Sequence, residues 1–132
     1  MAKEHKILVV EDDLLSQQLH QVFIEKLGYR VDVVADGHAA IDQSAQEDYA
    51  TMVLDHGLPN GMTGKDVITA IRSREKETKK HLPIMLVTAH GDEPLLKECY
   101  ETGADTALIK PISPEQFRNI LALLTQLKPI AE

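Results

Sequence analysis

The sequence is poor in features typical of disulfide-bonded and nucleic-acid-stacking proteins. Of its 132 residues, one is cysteine, none is tryptophan and 4% are aromatic. A single cysteine excludes an internal disulfide and fits a reducing compartment. The scarcity of aromatic residues and the net charge of −7 disfavour a stacking platform for single-stranded nucleic acid and nonspecific binding to DNA or an anionic membrane.

The chain also lacks a long apolar run near its N-terminus. The run Ile7–Val10 is too short to span a membrane, and no secretory cleavage pattern follows it. We therefore expect a cytoplasmic protein without a membrane segment. The length predicts a single domain over residues 1–132, with a core of about 5–128, which can bury roughly two-thirds of its unfolded surface.

Short β-branched runs alternate with segments of helical periodicity. The predicted strands are Lys6–Glu11, Arg30–Ala35, Thr51–Asp55, Ile84–Thr88 and Ala107–Lys110. The first, third and fourth are almost continuously apolar, as in central strands covered on both faces, and the second alternates as in a strand nearer an edge. Five strand–helix pairs in strict alternation predict an α/β fold with a doubly wound, five-stranded parallel sheet.

Each predicted helix carries an apolar stripe that we expect to face the sheet. In chain order, the stripes are Leu15, Leu19, Val22, Phe23 and Leu27; Ala40, Ile41, Ser44 and Ala45; Val67, Ile68 and Ile71; Leu95, Leu96 and Cys99; and Phe117, Ile120, Leu121, Leu124 and Leu127. Gly28 and Gly103 supply C-terminal stops for the first and fourth helices. Ser113, Pro114 and Gln116 form a capping-box start for the fifth.

Polar residues stand where four of the predicted strands end. Strand one ends in Glu11-Asp12-Asp13, strand three in Asp55, strand four in Thr88 and strand five in Lys110. The carboxyl ends of parallel strands share one rim, where such folds bind ligands. Taken singly, each residue has an ordinary structural explanation, such as a helix cap for Asp13. Their occurrence together, on the right strands, favours a functional site.

The chemistry of this cluster is specific. Two carboxylates about 4 Å apart repel each other by roughly 4 kcal/mol at an effective dielectric near 20, and a hard cation such as Mg²⁺ is the usual compensation. A carboxylate can attack phosphorus, which makes Asp55 a candidate nucleophile. The metal and Lys110 would offset charge on the transferred group. Thr88 is placed to bind the product phosphoryl group.

Six short motifs carry a family resemblance. They are Ile7-Leu8-Val9-Val10-Glu11-Asp12-Asp13, Met52-Val53-Leu54-Asp55, Leu58-Pro59 with Gly64, Val87-Thr88-Ala89, Gly103-Ala104-Asp105 and Ile109-Lys110-Pro111. With these motifs in order and at this spacing, the chain closely resembles the response-regulator receiver family over nearly its whole length. The resemblance implies a flavodoxin-like (βα)5 domain with strand order 2-1-3-4-5.

The resemblance also implies a role for each matching acidic residue. Asp55 is the expected phosphoacceptor. Asp12 is expected to bind Mg²⁺ directly, and Glu11 through water. Gly57, two residues after the acceptor, is expected to give its backbone carbonyl to the metal.

Further implications concern switching and partners. Thr88 is the expected switch hydroxyl and Lys110 the phosphate-binding lysine, with a cis Lys110–Pro111 peptide bond. A histidine kinase or histidine phosphotransfer protein is the implied donor, and the surface of helix four, strand five and helix five is expected to shift. The domain is expected to catalyse its own phosphorylation and dephosphorylation, with no turnover of an external substrate.

Three features depart from the family pattern. The segment Asn60–Thr63 makes the loop at the metal site one residue longer than usual. Ala107 stands where many members have Tyr or Phe, so coupling through an inward-turning aromatic is not expected. Gly57 and His90 occupy positions at which members differ in phosphoryl lifetime. The segments Leu27–Tyr29 and Val87–His90 look more like receivers attached to hybrid histidine kinases, so we expect a stand-alone receiver or one excised from such a protein.

Three other functions fit the sequence less well. A haloacid-dehalogenase-type phosphatase needs a second aspartate two residues after the nucleophile, where this chain has Gly57. A flavodoxin-like FMN-binding protein needs a Ser/Thr/Gly loop after strand one, where Glu11–Asp13 would repel phosphate. A degenerate receiver acting only as a docking domain is disfavoured by the intact acidic pair, Asp55, Thr88 and Lys110.

Overall fold

The computed structural model describes residues 5–89 and 93–126 as one five-stranded parallel sheet flanked by five helices. The strands are β1 (Lys6–Val10), β2 (Arg30–Val34), β3 (Thr51–Asp55), β4 (Ile84–Thr88) and β5 (Thr106–Ile109). The helices are α1 (Leu14–Lys26), α2 (Gly37–Gln46), α3 (Gly64–Thr78), α4 (Glu93–Thr102) and α5 (Pro114–Gln126). The sheet order β2-β1-β3-β4-β5 confirms the predicted fold, and it confirms that the second strand lies at an edge.

Two apolar cores lie on opposite faces of the sheet, because alternate side chains of a strand point to opposite faces. Alternate residues of β1, β3 and β4 pack with α2 and α3 on one face and with α1 and α5 on the other. The predicted stripe of α3 is buried throughout. The stripe of α5 is confirmed from Phe117 to Leu124, and Leu127 lies outside the described residues.

The stripe predicted for α1 is wrong at three of its five positions. Leu15, Leu19 and Val22 are 65%, 47% and 46% exposed, and only Phe23 and Leu27 pack against the core. The side of α1 that faces the protein is the one that carries Gln17 and Ile24. The Gln17 amide donates a 2.6 Å hydrogen bond to the Glu11 carbonyl, and Ile24 is fully buried two turns later. The leucine-rich side of α1 therefore faces outward.

Two smaller corrections concern α2 and α4. Ala40 is buried and Ile41 and Ser44 are half-buried, but Ala45 is exposed because it lies at the edge of the stripe, one residue before α2 ends. In α4, Leu96 is half-buried, and the side chains of Leu95 and Cys99 lie outside the described part of the structure. The capping box predicted for α5 is confirmed by reciprocal 3.1 Å hydrogen bonds between Ser113 and Gln116.

The Gly103-Ala104-Asp105 motif stabilises the end of the sheet opposite the predicted site. The guanidinium of Arg72 donates to the Gly103 carbonyl (2.9 Å) and to the Asp105 carboxylate (2.9 Å). Asp105 also accepts a hydrogen bond from the backbone N–H of Ile84 (2.7 Å), which opens β4. These charge-assisted bonds link α3, β4 and the turn before β5. The motif therefore has a structural role.

Candidate functional site

Three carboxylates converge at the carboxyl rim of the sheet. Residues Val10 and Leu54 are partners across β1 and β3, so the next residues, Glu11 and Asp55, emerge side by side. Glu11, Asp12 and Asp55 each place a carboxylate oxygen within 4.8 Å of the other two. Glu11 is buried, Asp55 is half-buried and Asp12 is exposed. The cluster is therefore anchored inside the protein and opens toward solvent at Asp12.

Lys110 is the counter-charge of this cluster. Its Nζ lies 2.9 Å from Glu11 Oε1 and 3.7 Å from Asp55 Oδ1. Its backbone N–H donates to the Thr88 carbonyl (2.8 Å), which fixes the start of the β5–α5 turn beside β4. The Thr88 side chain is buried, and the Lys110–Pro111 peptide bond is cis. All four strand-end positions singled out in the sequence thus lie at this rim.

Glu11 is held by groups that the sequence patterns did not reveal. The backbone N–H of Asp13 donates to Glu11 Oε2 (3.4 Å), and the side-chain amide of Gln17 donates to the Glu11 carbonyl. Asp13 also caps α1 by accepting from the N–H of Ser16 (2.9 Å). Gln17 could have been recognised from its position one turn after Asp13, the residue that caps α1. The wrong prediction of the buried side of α1 hid this signal. The turn therefore orients Glu11 toward Lys110 and Asp55.

The carboxylates perturb one another's protonation. Burial, followed by the neighbouring Glu11 carboxylate, raises the pKa of Asp55 to about 6. Burial also acts to raise the pKa of Glu11, but hydrogen bonding with Asp55 and Lys110 outweighs it, and the pKa of Glu11 is lowered. The pKa of Lys110 is raised, since its contacts with Glu11 and Asp55 outweigh its own burial. Of the two carboxylates, Asp55 is therefore the one whose ionised form is less stabilised.

The loop after β3 brings backbone groups to the same place. The N–H of Gly57 donates to Asp55 Oδ1 (3.4 Å), and the Asp55 side chain is 13% exposed. Gly64, the first residue of α3, packs on the backbone of this turn. A Cβ at position 64 would lie 3.0 Å from the Asp55 carbonyl oxygen and 2.9 Å from Leu86 Cδ1. The glycine thus allows α3 to begin directly against the end of β3.

The residues present fit a hard divalent cation. The donors are carboxylate oxygens with one solvent-facing position, and the half-buried Asp55 carries repulsion that Lys110 does not cancel. Mg²⁺ prefers oxygen ligands and keeps several waters, which suits a cluster open on one side. Of the residues expected at the metal, Glu11, Asp12 and Asp55 are brought together, and Gly57 is tied to Asp55 through its N–H.

A tyrosine on α4 lies beside the position where the family's aromatic residue is absent. Ala107 is half-buried against the core. The Tyr100 hydroxyl accepts a 3.2 Å hydrogen bond from the Ala107 N–H and thereby satisfies a backbone donor of edge strand β5. The position after Ala89, His90, lies outside the described residues.

The fold and the site define a flavodoxin-like α/β domain with an acidic cluster at its carboxyl rim. The family model described as "Response regulator receiver domain" matches residues 7–122, and the chain belongs to this family. The acidic cluster fits the phosphoacceptor site of such domains. No helix among the described residues is long and apolar enough to cross a membrane.

Curated relatives support the same assignment. The chain is 34% identical over 122 residues to the transcriptional regulatory protein ResD of Bacillus subtilis, covering 92% of this chain and 48% of that protein. It is 32% identical over 121 residues to the transcriptional regulatory protein SrrA of Staphylococcus aureus, covering 91% and 48%. The chain thus spans about half the length of these relatives.

Solved structures show the same architecture. The receiver domain of a sensor histidine kinase of Pseudomonas aeruginosa PAO1 superimposes with a TM-score of 0.83 at 28% identity, covering 94% of this chain and 99% of that one. In that structure a magnesium ion is coordinated in the active-site cleft. A response regulator of Chloroflexus aurantiacus superimposes with a TM-score of 0.85 at 27% identity, covering 94% and 99%.

Proposed function

We propose that this chain is a phosphoacceptor receiver of a two-component phosphorelay, in which Asp55 takes a phosphoryl group from a phosphohistidine. The observation that carries the proposal is the convergence of Glu11, Asp12, Asp55 and Lys110 at one rim of a receiver fold. In the transfer, a carboxylate oxygen of Asp55 forms a bond to phosphorus. The bond between phosphorus and the imidazole nitrogen breaks, and its electron pair stays on the imidazole of the donor.

The residues around Asp55 have complementary roles in this proposal. Asp12, Asp55 and the Gly57 carbonyl would hold Mg²⁺, with Glu11 contributing through water, and the ion would offset negative charge on the phosphoryl oxygens. Lys110, 3.7 Å from Asp55 Oδ1, supplies a second positive charge. The Thr88 hydroxyl donates to the transferred group. Two or three such charge-assisted bonds provide the roughly 5.5 kcal/mol that moves a two-state equilibrium from 1:99 to 99:1.

The first experiment is phosphorylation by a small donor. Incubation with acetyl phosphate and Mg²⁺ should raise the intact mass by one phosphoryl group, and chelation of Mg²⁺ should prevent it. Asp55→Asn should remain unmodified under the same conditions. Uptake of acid-labile phosphate by the Asn variant would refute the assignment of Asp55. If neither protein gains mass, beryllofluoride binding by the wild type is the next measurement. Binding would indicate an intact site whose acyl phosphate is short-lived, and no binding would indicate an incompetent site.

The exposed side of α1 supports a protein partner at this site. Leu14, Leu15, Leu19 and Val22 are 72%, 65%, 47% and 46% exposed, and α1 begins at the turn that carries Asp12. Contiguous exposed apolar side chains mark interaction surfaces. A histidine side chain can reach Asp55 only when its carrier covers the rim, so a surface continuous with the rim is well placed. We assign this side of α1 to the kinase or phosphotransfer protein.

Substitutions of exposed leucines by the uncharged polar residue glutamine test this surface. The donor is a phosphohistidine-carrying protein that phosphorylates the wild type. Leu15→Gln combined with Leu19→Gln should slow transfer from this donor about 30-fold, because buried apolar anchors contribute roughly 2 kcal/mol at interfaces. Phosphorylation by acetyl phosphate should be unchanged. Leu123→Gln, which alters a leucine 60% exposed on α5, is the control. Equal transfer rates for the α1 and α5 variants would show that the partner docks elsewhere.

The larger protein context remains a prediction. The expectation of a stand-alone receiver or one excised from a hybrid histidine kinase, with a cytoplasmic location, stays a prediction. Detection of the chain's peptides in a longer polypeptide by mass spectrometry of the source organism would contradict the stand-alone arrangement, and kinase-domain peptides in the same polypeptide would support the hybrid one.

A further inference from the structure

The β3–α3 loop, residues 56–63, is pinned to the core on both sides of an exposed tip. Its ends are closed by the His56 carbonyl, which accepts from the N–H groups of Leu58 (3.2 Å) and Gly64 (3.0 Å). Leu58 on the outgoing limb and Met62 on the returning limb pack against the core shared by α2 and α3. The loop therefore has two apolar anchors, and Gly57 is the residue next to the first.

The tip between the anchors is a tight reversal. Asn60 and Gly61 are exposed and have positive φ angles of 66° and 74°. Two consecutive positive φ angles at an Asn-Gly pair are characteristic of a type I′ turn. This turn reverses the direction of the chain, so that Met62 returns toward the protein.

Met62 fits a notch that exists because residue 37 is glycine. Gly37 is buried at the start of α2, on the same rim as Asp55. A Cβ at position 37 would lie 2.6 Å from Met62 Sδ and 2.8 Å from Val67 Cγ2. Real Cβ atoms are not found so close to other heavy atoms, so the thioether occupies the space that a side chain at 37 would need. Met62 thus fastens the loop to α2.

We propose that Met62, seated against Gly37, is a positioning residue that holds the β3–α3 loop so that the Gly57 carbonyl faces the metal site. The proposal rests on the proposed function, because the metal is part of it. Mg²⁺ takes oxygen ligands, so the thioether of Met62 is not itself a ligand of the ion. Its effect passes through the returning limb of the loop, and the supports of a metal ligand typically affect metal affinity.

The test measures Mg²⁺ affinity rather than phosphorylation. Backbone amide NMR titrations with MgCl₂ should give a dissociation constant roughly tenfold weaker for Met62→Ala than for the wild type, as for loss of a ligand's support. Met62→Leu, which keeps the volume, should restore the affinity to within about twofold. Ile41→Ala is the matched control, because Ile41 also lies half-buried against the same core, on α2. It should lower the melting temperature and leave the Mg²⁺ affinity within about twofold of the wild type.

The outcomes separate the two proposals. If the wild type binds Mg²⁺ and Met62→Ala binds it equally well, the positioning role is wrong and the phosphoacceptor proposal is unaffected. The positioning role is also wrong if Met62→Ala and Ile41→Ala weaken binding alike, because both would then act through general stability. If the wild type itself does not bind Mg²⁺, the proposed metal site fails, and the role of Met62 fails with it.

Discussion

Lys110→Ala should lower the initial rate of phosphorylation by acetyl phosphate about a hundredfold, as for the loss of one preorganised group that stabilises transition-state charge. The incoming phosphoryl group brings negative charge to a rim that already holds three carboxylates. Lys110 Nζ, 3.7 Å from Asp55 Oδ1, is within reach of the oxygens that a phosphoryl group on Asp55 would carry. The measurement is the time course of intact mass at saturating Mg²⁺.

The chain offers a matched control for this substitution. Lys6 also lies between two carboxylates, with its Nζ 2.6 Å from Glu47 and 3.0 Å from Asp32, but at the amino end of the sheet. Lys6→Ala should leave the phosphorylation rate within about twofold of the wild type, because opposite ends of the sheet are more than a Debye length apart at ordinary salt. Equal slowing by the two alanine variants would remove the special role of Lys110.

A second measurement distinguishes a direct role of Lys110 from loss of the metal. Removing a positive charge 2.9 Å from Glu11 makes the carboxylate cluster more negative. The Mg²⁺ affinity of Lys110→Ala should therefore equal or exceed that of the wild type, while the rate falls. A parallel loss of Mg²⁺ affinity would indicate that the lysine acts by holding Glu11 in place.

The order of elements was readable from the sequence because each strand has its own signal. The strands β1, β3 and β4 are nearly continuous apolar runs, and a parallel sheet buries such strands on both faces. The positions of Glu11, Asp55 and Lys110 at strand ends then followed from the shared direction of the strands. Parallel pairing places the carboxyl ends of all the strands at one edge of the sheet, so residues that are distant in the sequence meet there.

The orientation of α1 could not be predicted from its apolar residues. Its leucines form a clear stripe, but the stripe faces outward, and the buried side carries Gln17, His20 and Ile24. Apolar periodicity gives a preferred side of a helix and does not distinguish a core from an interaction surface. Burial of His20 lowers its pKa, and its ring lies 5.1 Å from that of Phe117. His20 therefore packs as an apolar residue would, which its polar side chain does not indicate in the sequence.

The loop at the site shows a second limit of prediction. The sequence predicts a loop one residue longer than usual, but the contact between Met62 and Gly37 joins residues 25 positions apart and depends on shape. A missing side chain at 37 is visible in the sequence. The side chain that fills the space left by the glycine is visible only in three dimensions.

Asp55→Asn should make the metal-free protein more stable at neutral pH. The pKa of Asp55 is about 6 in the folded protein, against 3.8 for an unperturbed aspartate, with burial and Glu11 as the causes. A difference of about 2 between the two pKa values corresponds to about 3 kcal/mol for an isolated group. Since Glu11 titrates jointly and its lowered pKa acts in the opposite sense, we expect about 1–2 kcal/mol, or about 4–8 °C in melting temperature.

The pH dependence of this difference has a definite sign. Below about pH 4, Asp55 is protonated in both the folded and the unfolded chain, and the wild type and the Asn variant should be similarly stable. Between about pH 4 and pH 6 the unfolded chain has released the proton that the folded protein keeps, so the wild type loses stability relative to the variant as the pH rises. Above about pH 6 the difference should be constant. Thermal unfolding in chelator across this range measures it.

Mg²⁺ should reverse the order, because a cation that binds the folded state stabilises it in proportion to its affinity. At about 100 times its dissociation constant the gain is about 2.7 kcal/mol, which the Asn variant, lacking one carboxylate ligand, should largely forgo. Asp32→Asn is the control of opposite sign: hydrogen bonds from Tyr49 and Lys6 lower the pKa of Asp32, so its loss should reduce stability with or without Mg²⁺. If Asp55→Asn instead melts below the wild type in chelator, repulsion within the acidic cluster does not limit the stability of the metal-free domain.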